Sequence, residues 1–126
     1  MRATNSAEPF WQSIQGPARS IDLVHLARQT LGDQGLEREI LSLFLRQSQT
    51  LAARIRASTD VTQGRDLAHT LKGSASAVGA WKVAEAADCV EQFCRKGGQP
   101  GAQALDAMEC AVKDACTAIE TMDRPS

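Results

Sequence analysis

The sequence predicts an all-α fold, an antiparallel four-helix bundle with a short additional N-terminal helix. Three observations carry that expectation. Ala, Leu, Gln and Arg are plentiful, whereas aromatic residues make up 4% and tyrosine is absent, a balance that favours helix over strand. Apolar residues recur at three- and four-residue intervals over several long stretches, with no β-like alternation. Glycine and proline separate those stretches. The 126 residues suffice for one domain, and a hydrophobic content of 43% excludes a disordered chain.

The elements follow in order. Residues 1–19 hold two prolines, Gly16 and scattered polar residues, with Phe10, Trp11 and Ile14 as the bulky apolar group. They are expected to form a flexible N-terminal leader ahead of a bundle domain over 20–123. Ser20 is the expected N-cap of a short helix, with Asp22 in its first turn and Ile21, Val24 and Leu31 as its apolar positions beside Leu23 and Ala27. Gly32-Asp33 ends it, and it should close one end of the bundle. A second helix starts near Gln34 and runs to about Ser58, with Leu36, Ile40, Leu43, Phe44, Leu51 and Ile55 at amphipathic spacing. A third covers about Thr62 to Val78 and stops at Gly79. A fourth runs from Ala80 to about Lys96, with Val83, Ala87, Val90 and Cys94 on one face, until Gly97-Gly98-Gln99-Pro100-Gly101 breaks it. The fifth, about 102–122, carries Leu105, Met108, Val112, Ala115, Ile119 and Met122 in register. Four long helices with short connections and one apolar face each predict the bundle, which can close on itself as a monomer.

Composition also narrows function. Fourteen Lys and Arg against fifteen Asp and Glu give a net charge of −1, so there is no global electrostatic reason to bind nucleic acid or anionic membranes. There is neither a signal-peptide apolar run nor a membrane-length one, and a cytoplasmic protein is expected. Cys89, Cys94, Cys110 and Cys116 form no CxxC pair and have no His at zinc-ligand spacing. They read as core or surface thiols of a reduced compartment. Opening on Met1 and closing on MDRPS, the chain is expected to be a free-standing module.

One stretch breaks the pattern. In the third helix Leu67, Ala68, Leu71, Ala75 and Val78 share one arc, the core face. With about 100° per residue and His69 set at zero, Lys72 lies about 60° to one side, Gly73 about 40° to the other and Ser76 about 20° away. Arg65 and Asp66 extend the stripe as a solvated face. His69 thus points away from the core, beside a lysine and small residues. Gly73 inside a helix costs about 1 kcal/mol relative to alanine. A bare position one turn from an exposed imidazole suggests that something large must approach the ring. No Cys, Ser or second carboxylate neighbours the ring on its helix to build a hydrolytic triad, and no second His to build a metal site. A neutral imidazole is nonetheless a nucleophile near pH 7, and a phosphoryl group accepted there would find its charge partner in Lys72. Ser76 could donate a hydrogen bond or keep the surface low. His25, which lacks a Lys-Gly companion, reads as a capping or surface residue, and Trp81 as a packing or edge residue.

His69-Thr70-Leu71-Lys72-Gly73-Ser74-Ala75, followed by Val78-Gly79-Ala80, resembles the signature of histidine-containing phosphotransfer (HPt) domains, and Leu43-Phe44-Leu45 resembles the apolar stretch of the family's preceding helix. The resemblance covers most of residues 20–122. It implies that His69 is the phosphoacceptor through Nε2, that Lys72 is the charge partner, and that Gly73 gives partner access. Some members carry a Gln 22 residues after the His. Here that position is Glu91, with Gln92 following, and Glu91 can accept from the ring Nδ1–H in a supporting role.

The resemblance implies a phosphoryl carrier between response-regulator receiver domains in a multistep His-Asp phosphorelay, fed by a hybrid sensor histidine kinase. It implies no cofactor of the carrier's own, with Mg²⁺ on the partner receiver domain. The chain has no glycine-rich phosphate loop, so autokinase activity is not expected. The alternative is a helical-bundle interaction module that binds and inhibits a kinase or receiver without being phosphorylated.

Overall fold

A computed structural model describes residues 20–122, and the leader expected over 1–19 lies outside the described residues. Five helices account for most of them: α1 (Leu23–Thr30), α2 (Gln34–Ala57), α3 (Val61–Val78), α4 (Trp81–Arg95) and α5 (Ala102–Met122). No strand occurs among the described residues. Helices α2 to α5 form a closed ring, each packed on the next and α5 returning to α2, while α1 lies against α2 and α3. The short connections make sequential neighbours antiparallel.

Aspartates start three of the helices. The Asp22 carboxylate accepts from His25 N, that of Asp33 from Leu36 N, and that of Asp60 from Thr62 N and Gln63 N, so orphan first-turn donors are satisfied. Asp22, not Ser20, is therefore the cap of α1. Its carboxylate is fixed from a second side by the Trp81 indole N–H at 2.9 Å, and Ile21 is drawn into the core ahead of the helix. The face of α1 also differs from the expected one: Leu26 is buried, Val24 and Leu23 are exposed, and Leu31 is 93% exposed in a left-handed C-cap.

The core holds Phe44 and Ile55 of α2, Leu67, Leu71 and Val78 of α3, Val83 and Val90 of α4, and Met108, Val112 and Ile119 of α5. In α2 the buried stripe is Leu41, Phe44, Ser48, Ala52 and Ile55. It is rotated from the expected one because the apolar arc of this helix, about 200° wide at helical spacing, exceeds what the bundle can cover. Leu36 and Leu43 are left exposed and Ile40 half-covered. Ser48 takes a core position at no exposure, with its hydroxyl 3.7 Å from Cys116 Sγ. Of the α5 thiols and thioethers, Met108 and Cys116 are buried, Met122 is partly buried and Cys110 is exposed.

The α3–α4 contact is the most extensive in the molecule, and buried small residues (Ala68 and Ala75 on α3, Ala84 and Ala87 on α4) let the two axes approach. The turn between them is set by Gly79 at φ +79°, with Ala80 N–H bonded back to Ala75 O as in a Schellman closure. Against that turn Asp22 N–H donates to Gly79 O at 2.8 Å, so α1 is tied to the corner.

Candidate functional site

The centre of α3 projects His69 outward, with its side chain 64% exposed, while Ala68 and Leu71, on the opposite arc of the helix, are fully buried. The ring is not free to turn. Its Nδ1 lies 3.0 Å from Oε2 of Glu91, 22 residues on, one turn before the end of α4.

Glu91 is the hub of the site. Its side chain has no exposure, yet it is surrounded by cations. Arg95, one turn on, donates to Oε2 through Nε at 3.1 Å and through a terminal nitrogen at 2.7 Å. Lys72 Nζ stands 2.9 Å from Oε1, a close ion pair. Burial pushes the Glu91 carboxyl upward, but Lys72, Arg95 and His69 together outweigh it and bring it down from 4.5 to about 2. Glu91 is therefore ionised at neutral pH and can only accept, which puts the ring proton of His69 on Nδ1. Nε2 is left with its lone pair.

Lys72 bridges α3 to α4. Besides Glu91 it reaches Asp88 Oδ1 at 3.0 Å, and these two carboxylates raise the ammonium above its ordinary pKa. Asp88 is lowered in turn by Lys72 and by a 3.4 Å hydrogen bond from Gln92. Gln92 thus bonds Asp88, and it is Glu91 that meets the imidazole.

Gly73 is exposed one turn from His69, and a Cβ built on it meets nothing within 4 Å. Ser76 lies two turns along, about 10 Å by helical rise, and its hydroxyl bonds no described residue. The structure therefore joins His69, Lys72 and Glu91, sets Gly73 beside them and leaves Ser76 apart. Sequence reasoning missed Asp88 and Arg95. Their spacing from Glu91, three before and four after, was a signal that becomes readable once Glu91 is known to face His69.

On the other flank of α3, Ile40, Leu43, Gln47, Ser74 and Ala77 line a shallow apolar groove between α2 and α3. Its floor continues past Thr70 and Leu51. The surplus apolar arc of α2 thus faces the flank of α3 that carries Thr70, Ser74 and Ala77. Arg65 pairs with Asp66 at 3.2 Å on the solvated surface. His25 packs its ring edgewise on Trp81 with centroids 4.8 Å apart, away from the site. Among the described residues no group of three or more His, Cys, Asp or Glu could hold a metal ion, and no helix is long and apolar enough to cross a membrane.

Comparison with known proteins bears on the fold and the family. No curated protein matches the sequence significantly. The crystal structure of a rice protein described as a histidine-containing phosphotransfer protein superposes with a TM-score of 0.73 over 88% of this chain and 84% of that one, at 21% identity, a likeness of fold. The Hpt domain model matches residues 39–122, about two thirds of the sequence, including all of α3 and α4. The chain belongs to the Hpt domain family and is a phosphorelay carrier.

Proposed function

We propose that His69 is the phosphoacceptor, that Glu91 holds its tautomer, that Lys72 balances the phosphoryl charge, and that Gly73 keeps the approach open. The observation that carries this reading is the 3.0 Å contact between Nδ1 and a buried, ionised carboxylate. With the proton held on Nδ1, the Nε2 lone pair attacks the phosphorus of a receiver aspartyl-phosphate. A P–N bond forms, the P–O bond to the aspartate breaks, and that carboxylate leaves with the bonding pair. The imidazole becomes cationic as it attacks, and Glu91 stabilises the charge from the far side of the ring. A second receiver's aspartate then reverses the chemistry.

Catalysis on this side is positioning and electrostatics. The receiver supplies Mg²⁺ and its acidic cluster, and a hybrid kinase supplies phosphate upstream. The α2–α3 groove is the flank against which a receiver settles. Its exposed Leu43 and half-buried Ile40 offer a partner an apolar surface on the α2 flank of α3. Ser76 stands two turns from the ring as part of the low surface beneath the partner.

The test is His69→Gln mixed with a phosphorylated receiver. Wild type is expected to take up acid-labile, alkali-stable label, the stability of a P–N bond, and the variant none while retaining its helical spectrum. Label persisting on the variant overturns the assignment. No label on wild type, together with stoichiometric inhibition of a kinase or receiver by both proteins, identifies an interaction module instead.

A further inference from the structure

The ammonium of Lys72 already has two carboxylate partners before any phosphoryl group arrives, and they differ in freedom. Glu91 is fully buried and gripped by Arg95 and His69, so it cannot leave without stranding charge. Asp88 is 47% exposed, its other contact is the long hydrogen bond from Gln92, and water replaces Lys72 readily. A phosphoryl group on His69 brings close to two negative charges. They arrive beside a cluster in which Lys72 and Arg95 already balance Asp88 and Glu91. Arg95 is occupied with both of its contacting nitrogens on Glu91 Oε2. Lys72, whose second partner is the half-exposed Asp88, is the cation able to turn.

Building on the carrier reading, we propose that Asp88 is a positioning residue that competes with the phosphoryl group for Lys72. The ammonium keeps Glu91, exchanges Asp88 for a phosphoryl oxygen when His69 is phosphorylated, and returns to Asp88 when the group is passed on. No covalent bond beyond the P–N transfer is involved. Because Asp88 draws Lys72 back, it weakens the hold on the phosphoryl group and tilts the equilibrium toward the receiver. The residue thereby sets how readily the carrier unloads.

The experiment measures the fraction of carrier labelled at equilibrium with a phosphorylated receiver, and the rate of spontaneous label loss. Asp88→Asn is expected to raise the labelled-to-unlabelled ratio about two- to fivefold, the range of an exposed ion pair, and to slow label loss in proportion. Asp88→Glu should restore wild-type behaviour. In a Lys72→Ala background, Asp88→Asn should change nothing, because the effect runs through the ammonium. A ratio that falls or stays put overturns the proposal, as does a rise that persists without Lys72, which marks direct repulsion of the phosphate by Asp88. Absence of label on wild type defeats the carrier reading and this proposal with it. Label that ignores Asp88 defeats this proposal alone.

Discussion

An added Cβ at Gly79 would lie 2.9 Å from Asp22 Cβ and 2.9 Å from its carbonyl oxygen, on a residue held at φ +79°. At Gly73, six residues earlier on the same helix, an added Cβ would meet nothing within 4 Å. The first glycine is demanded by the molecule itself, since it takes the left-handed turn without strain and only a residue without Cβ admits α1 to the corner. The second is demanded by nothing inside it and lowers helix stability. A position that costs stability and relieves no internal contact is the basis on which Gly73 is proposed as an access residue.

Breaking the corner should have the largest effect. Gly79→Ala combines left-handed strain with overpacking and is expected to lower stability by about 3 kcal/mol, seen as a lower urea midpoint. Transfer per folded molecule should be unchanged. A normal midpoint would show that the α1 contact yields easily.

Acid sharpens the contrast next, because the middle of α3 is held to α4 by ions. The folded-state pKa of Glu91 lies at about 2, below its ordinary 4.5. Its contribution is therefore complete above about pH 4.5 and is lost as pH falls through about 2. Glu91→Gln should be less stable at neutral pH by about 1–3 kcal/mol and should lose less on acidification. Asp22 is also lowered, by the Trp81 hydrogen bond, and leaves a residual slope in the variant. Parallel stability-against-pH curves for the two proteins would remove Glu91 from the ion cluster.

The smallest change in fold comes with the access position. Gly73→Leu should unfold no more easily than wild type, or slightly less, since leucine favours helix by close to 1 kcal/mol over glycine. Transfer from a phosphorylated receiver should nonetheless slow about tenfold, equivalent to ~1.4 kcal/mol of barrier. Wild-type rates in stopped-flow transfer would dismiss the access argument.

Helices α3 and α5 were legible because each carries one narrow apolar stripe whose phase admits a single answer. Helix α2 was legible in extent but not in rotation: its leucines span more of the wheel than the core uses, and a serine fills a place that polarity alone would send outside. For α1, eight residues are too few to reveal phase, and tertiary contact with Gly79 and Trp81 selected both its cap and its inward face. His69, Lys72 and Gly73 could be picked out from one helix. Glu91 came through resemblance, whereas Asp88 and Arg95 needed the lateral register of α3 on α4, which no single-helix pattern contains.

The ionic cluster runs from His69 to Arg95, within a single antiparallel hairpin whose turn is fixed by Gly79. Every link in it spans 22 residues or fewer. Such short loops close at small entropic expense, so the imidazole and its counter-charges come together as soon as two adjacent segments zip. On the proposed assignment, substitutions in α1, α2 or α5 should alter how many molecules are folded, while the reactivity of each folded copy should depend on one contiguous quarter of the chain.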